Sequence, residues 1–139
     1  MMQMNVDAVK TKQKILVIED EIENQKYLEL ILKQNFLIDF CDNKASMLEL
    51  LRQTKYEAII MDISLKGDSS GIELIKELKK KSDYRNIPII CLSAHTFGQD
   101  KLMAQQAGAN VYLTKPVGRK TLLNTLEKLI ATDVSQNKA

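Results

Sequence analysis

Five short apolar runs, rich in β-branched residues, recur along this chain, and each is followed by a longer segment of helical period. The runs cover residues 15–18, 37–41, 58–61, 87–92 and 111–113, and the helical segments 23–34, 44–54, 71–81, 98–107 and 119–131. Strand-length runs that are apolar throughout suit a sheet covered on both faces. Five βα units in succession therefore predict an open parallel sheet between two layers of helices. Right-handed crossovers leave few ways to connect it. The expected fold is α/β and flavodoxin-like: a doubly wound five-stranded parallel sheet, order 2-1-3-4-5, with five helices.

Local features set the boundaries. Tyr27, Leu28, Ile31 and Leu32 share one face of the first helix, and Leu122, Leu123, Leu126, Leu129 and Ile130 one face of the last. Gly108 stands where the fourth helix needs a left-handed cap. Pro88 opens its strand, where a missing donor is tolerable. At 139 residues the chain suits one domain. The pattern divides into a polar leader (1–13), a folded unit (14–131) and a flexible tail (132–139).

Composition excludes several classes. The chain is 45% hydrophobic and 27% charged, with a net charge of +2 and both signs interspersed, so no basic face points to nucleic acid or an anionic membrane. No apolar run approaches the roughly 20 residues that span a bilayer. The first residues are polar and lack a secretory apolar stretch. A cytoplasmic protein is expected. Cys41 and Cys91 lie in apolar strand runs without metal or redox spacing and read as small core residues.

In such a sheet ligands bind beyond the carboxyl ends of the strands. Strand one ends in Glu19-Asp20-Glu21, strand three in Asp62, strand four in Ser93, and Lys115-Pro116 follows strand five. Strands one and three would be neighbours about 4.8 Å apart, placing Asp20 beside Asp62 with Glu19 close by. Clustered carboxylates repel one another unless a cation neutralises them. An oxygen-rich set of this kind suits Mg²⁺. Ser93 would flank Asp62, and Lys115, one strand farther out, would reach inward. Those are the parts phosphoryl transfer requires, because its transition state spreads negative charge over the equatorial oxygens. A carboxylate nucleophile can carry an aspartyl phosphate. Taken singly, each residue has a plainer reading, as a helix-capping acid or a turn aspartate. Their joint placement at four strand ends favours function.

The segments KILVIEDE, AIIMDISL, PIICLSA and GANVYLTKP, at these intervals, resemble the receiver domain of bacterial two-component response regulators, over about residues 14–130. The resemblance implies that Asp62 is the phosphoacceptor. It implies that Asp20 and Asp62 ligate Mg²⁺, with Glu19 acting through water and Ser64 through its backbone carbonyl. Ser93 and Lys115 would bind the phosphoryl group, Ala94 would offer its amide, and Pro116 falls at the family's cis-proline position. Tyr112 matches the aromatic switch residue. Ser64 and His95 fall where side chains tune phosphoryl lifetime. The chain departs from the common pattern at 65–71, which lacks a proline and is one residue longer, and in having Glu19 where aspartate is commoner.

A histidine kinase or phosphotransfer protein would then be the donor. Few residues follow the last helix, so no output domain is expected. Output would be a protein contact through helix 4, strand 5 and helix 5, where Lys101, Gln105, Tyr112, Arg119 and Lys120 are candidates. Dimerisation is left open. A Mg²⁺-dependent phosphohydrolase would carry Asp-x-Asp after strand one and a cap, neither of which is present. A flavodoxin-like cofactor binder would need a Ser/Thr/Gly-rich loop there, where these acids would repel phosphate.

Overall fold

The computed structural model describes residues 12–64, 70–94 and 98–138, with side chains described from 100 in the fourth helix and up to 131 in the last. The elements alternate: β1 (Gln13–Ile18), α1 (Ile22–Leu32), β2 (Phe36–Cys41), α2 (Lys44–Gln53), β3 (Ala58–Asp62), α3 (Gly71–Lys80), β4 (Ile89–Ser93), α4 (Gly98–Ala107), β5 (Val111–Thr114) and α5 (Arg119–Lys138). The five strands form one parallel sheet in the order β2-β1-β3-β4-β5, as the alternation predicts. Helix α5 runs on past the point where the apolar pattern ends, because no glycine or proline follows to stop it.

Side chains leave successive strand positions on opposite faces, and the core divides accordingly. Ile15 and Val17 of β1 join Ala58 and Ile60 of β3 under α1 and α5. Leu16 and Ile18 join Ile59 and Met61 beneath α2, α3 and α4. Strands β3 and β4 are buried at every position, which is why their sequences carry no polar alternation. Each fully buried Ile or Leu contributes about 1.5–3 kcal/mol of transfer free energy.

The helix ends are fixed by side chains. Asn43 accepts from the Ser46 amide to cap α2. Ser70 and Glu73 form a reciprocal capping box on α3. Gly108, at φ +123°, takes the left-handed conformation after α4 and lies against the Lys79 side chain. Pro88 immediately precedes β4, where a missing donor is tolerated, and its carbonyl accepts from the Ile59 amide at 2.9 Å. Among the described residues no helix is long and apolar enough to cross a membrane.

Candidate functional site

Register brings the charged residues to one edge. Ile18 pairs with Met61, so Glu19 follows on β1 directly opposite Asp62 on β3. Asp62 pairs with Leu92, and Ser93 pairs with Thr114, so Ser93 and Lys115 stand one step beyond on the next two strands. The ladder continues past the strand ends to hold them: the Glu19 amide donates to the Cys41 carbonyl at 2.9 Å, and the Lys115 amide to the Ser93 carbonyl at 2.7 Å. The Lys115–Pro116 peptide is cis.

Glu19, Asp20 and Asp62 each bring a carboxylate oxygen within 4.8 Å of the others. Glu19 and Ser93 are completely buried and Asp62 is 3% exposed, so most of this charge is out of water. The Lys115 ammonium lies 3.2 Å from Glu19 Oε1 and 3.2 Å from Asp62 Oδ2. The other Asp62 oxygen, Oδ1, accepts from the Ser64 amide at 2.8 Å. Lys115 thus bridges two strands from a third, the inward reach that the strand order requires of it.

The electrostatics are unequal on the two sides of that bridge. Burial works against the Lys115 ammonium, yet Asp62 and Glu19 outweigh it and its pKa is raised. Burial, and next the charge of Asp62, push the Glu19 carboxyl upward, and Lys115 with the Glu21 amide only partly offsets them. One ammonium does not neutralise the two buried carboxylates it touches. The donor set is all oxygen, clustered and short of positive charge, which fits a hard divalent cation such as Mg²⁺.

The structure gathers five of the residues singled out from sequence, Glu19, Asp20, Asp62, Ser93 and Lys115, at this edge. Ser64 joins them through its amide, and its side chain is exposed. Tyr112 is half-buried and packs against the core beneath α2, α3 and α4. His95 and residues 65–69 of the unusual loop lie outside the described residues. Lys101, Gln105 and Lys120 are exposed, whereas Arg119 turns toward Gln34 and Asn35 after α1, with its guanidinium 3.3 Å from Asn35 Oδ1.

Three further residues shape the site without having stood out as functional. Gln25 Nε2 donates to the Glu19 carbonyl at 2.7 Å. Asn24 Nδ2 lies 3.4 Å from Glu19 Oε2. Gly71 opens α3 so close to β3 that a Cβ there would lie 2.4 Å from the Asp62 carbonyl oxygen. Two amides on a charged helix read as solvated surface, so only their position one turn from Glu19 could have marked them. A cavity of about 320 Å³ adjoins the cluster, between α1 and the segment after β5, lined by Glu19, Asn24, Tyr27, Leu28, Lys115 and Val117 among others.

A parallel sheet with an acidic edge answered by one lysine defines a class, and the family comparison agrees: the chain belongs to the response regulator receiver domain family, matched over residues 15–127. It is thus a receiver domain of two-component signalling. Protein PilH of Pseudomonas aeruginosa is 30% identical over 119 residues, covering 85% of this chain and 98% of PilH. The phosphate regulon regulator PhoB of Escherichia coli is 32% identical over 118 residues, 84% of this chain but 51% of PhoB, so the chain spans about half of that relative. Among solved structures, the receiver domain of the sensor histidine kinase PA1611 from Pseudomonas aeruginosa is 30% identical with a TM-score of 0.79, covering 87% of this chain and 99% of that one. That domain was solved with a magnesium ion coordinated in its active-site cleft.

Proposed function

We propose that this receiver takes a phosphoryl group on Asp62 from a histidine kinase or phosphotransfer protein and thereby switches a protein-binding surface. The observation that carries the reading is the placement of Lys115 Nζ, 3.2 Å from both Glu19 and Asp62, over carboxylates that it leaves under-neutralised. Asp20 and Asp62 would ligate Mg²⁺ directly, with the Ser64 carbonyl, and Glu19 through water. Bound there, the cation would neutralise charge on the transferring phosphoryl oxygens. An Asp62 carboxylate oxygen forms the new bond to phosphorus as the donor's bond to phosphorus breaks. Lys115 and the Ser93 hydroxyl receive the equatorial oxygens.

Ser93 and Lys115 then exchange their resting contacts for charge-assisted bonds to the phosphoryl group. Tyr112, packed below on the neighbouring strand, follows the displaced β4–α4 segment inward. The surface changed is that of α4, β5 and α5, where Leu102 and Met103 are exposed at 54% and 41% and suit a protein partner. Ser64 and, by its place in the sequence two residues past Ser93, His95 would set how fast water removes the phosphoryl group. The domain turns over no separate substrate. Two free, buried cysteines fit a reducing cytoplasm.

Acetyl phosphate with Mg²⁺, followed by intact mass, tests the proposal. One phosphoryl adduct is expected on the wild type, lost on chelation of the metal and absent from Asp62→Asn. Equal labelling of Asp62→Asn would overturn the assignment.

A further inference from the structure

Glu19 is held at every polar atom it has. Its amide donates to the Cys41 carbonyl and its carbonyl accepts from Gln25 Nε2 at 2.7 Å. Its Oε1 meets Lys115 at 3.2 Å, and its Oε2 accepts from the Glu21 amide at 3.2 Å and from Asn24 Nδ2 at 3.4 Å. A glutamate has one more torsion than an aspartate, and its terminal χ3 is broad and roughly two-fold. Burial alone does not choose which oxygen faces the cation edge. The contacts do, by fixing Oε2 against α1 and leaving Oε1 toward Lys115 and Asp62.

Asn24 is the side-chain half of that hold. It lies on the first turn of α1, partly buried, and lines the cavity between α1 and Lys115. Its Nδ2 also lies 3.1 Å from Glu21 Oε1, so one neutral amide serves two carboxylates. It does not cap the helix in the usual manner: the Glu21 amide that an N3 side chain would satisfy is taken by Glu19. A lysine at position 24 would compete with Lys115 for Glu19, an acid would add repulsion, and an aliphatic side chain would leave Oε2 on one weak donor.

We propose that Asn24 is a positioning residue of this site: by clamping Glu19 Oε2 it presents Oε1 to the cation edge and so sets how tightly the cluster holds a divalent cation. The assignment rests on the phosphoacceptor reading above. It assigns the Asn24 amide to the site rather than to the solvated face of α1.

Calorimetric titration of the full chain with Mg²⁺ tests it, alongside the Mg²⁺ dependence of labelling by acetyl phosphate. Removing a partner that orients a metal-site carboxylate weakens affinity by roughly tenfold at the lower end of such effects. Asn24→Ala should raise the Mg²⁺ dissociation constant and the half-saturating Mg²⁺ by that factor, with the labelling rate at saturating Mg²⁺ within about two-fold of wild type. Asn24→Gln, which keeps the amide donor, should recover most of the loss. In a Glu19→Ala background Asn24→Ala should change nothing further, because the clamp has nothing to hold. An unshifted dissociation constant in Asn24→Ala, or the same shift with Glu19 removed, would overturn the role of Asn24 while leaving the phosphoacceptor reading intact. A lower rate ceiling with unchanged half-saturation would also overturn it, by showing a general loss of structure. If the wild type shows no Mg²⁺ dependence at all, the phosphoacceptor reading itself fails, and the proposal with it.

Discussion

Two groupings of carboxylate and lysine sit on this sheet, built to opposite plans. On β2, Asp39 meets Lys14 at 3.7 Å and accepts the Tyr56 hydroxyl at 2.5 Å. Asp39 and Lys14 keep a third or more of their side chains in water (33% and 40% exposed), and each charge has its counterpart. At the carboxyl edge, Glu19 and Asp62 share the Lys115 ammonium, with Asp20 close by and Glu19 fully buried. The first grouping is complete in itself. The second sets two buried carboxylates against one ammonium, and an interior gains nothing from surplus charge. The difference teaches that the acidic edge is shaped for something that arrives, whereas the Asp39 group serves the fold alone.

The largest effect expected compares the surroundings of the two groupings. Cys91 lies beside Asp62, and Cys41 beside Asp42 and Asp39; burial first, and these charges second, push both thiols from about 9 up to about 12. In the unfolded chain the thiols ionise from about pH 9, while the folded ones stay protonated. Stability is therefore full below pH 9 and falls as pH rises toward 12, by about 1.4 kcal/mol per thiol per pH unit. Urea unfolding at pH 8 and pH 10 should differ by about 3 kcal/mol from the two thiols together, with Cys41→Ala and Cys91→Ala each removing half of that dependence. A dependence untouched by either substitution would show that burial of these thiols is not its source. Unequal halves would measure how far the surplus charge near Cys91 exceeds the balanced charge near Cys41.

A smaller effect should separate the two groupings sterically. In Gly71→Ala the new methyl would meet the Asp62 carbonyl oxygen at 2.4 Å and the Ile63 Cα at 2.6 Å, both backbone and unable to yield cheaply. Overpacking of this kind costs about 2 kcal/mol, and acetyl phosphate labelling should slow because Asp62 is displaced. The Tyr56–Asp39 contact should persist. A Gly71→Ala protein of wild-type stability would refute the close approach of α3 to β3.

The smallest pair should differ in sign. Tyr56→Phe removes a hydrogen bond to a carboxylate from the balanced grouping and should cost about 1.5 kcal/mol. Glu19→Gln should instead raise the unfolding midpoint of the metal-free protein near pH 7. Its carboxyl is held upward, so its ionised form works against the fold, and a neutral isostere removes that opposition. If both substitutions destabilise alike, the acidic edge is an ordinary structural group and the comparison collapses.

Much of this arrangement could be read from the residues. Strands β3 and β4 were legible because both their faces are covered, which forces an unbroken apolar run ended by Asp62 and Ser93. The order of strands then placed Glu19 and Asp20 beside Asp62, since a parallel register moves whole strand ends together. Tyr27 was less legible: it shares the apolar face of α1 yet is 41% exposed, because its hydroxyl reaches the Val117 carbonyl at 2.6 Å. That contact spans 90 residues, and no local pattern encodes it. Asn24 and Gln25 were hidden for a related reason. Periodicity reports which face a residue occupies, and says nothing about which neighbour an amide will choose.

The Lys115–Glu19 bond joins residues 96 apart in the chain, across two intervening strands. Every parallel pairing in this sheet is non-local, and such contacts form late and slowly. An emerging chain presents its acids first and meets its lysine only after β5 has docked on β4. The acidic edge is therefore complete only with the final strand. A partly made or partly unfolded copy lacks the ammonium that meets Glu19 and Asp62, so the cluster assembles as the last act of the sheet.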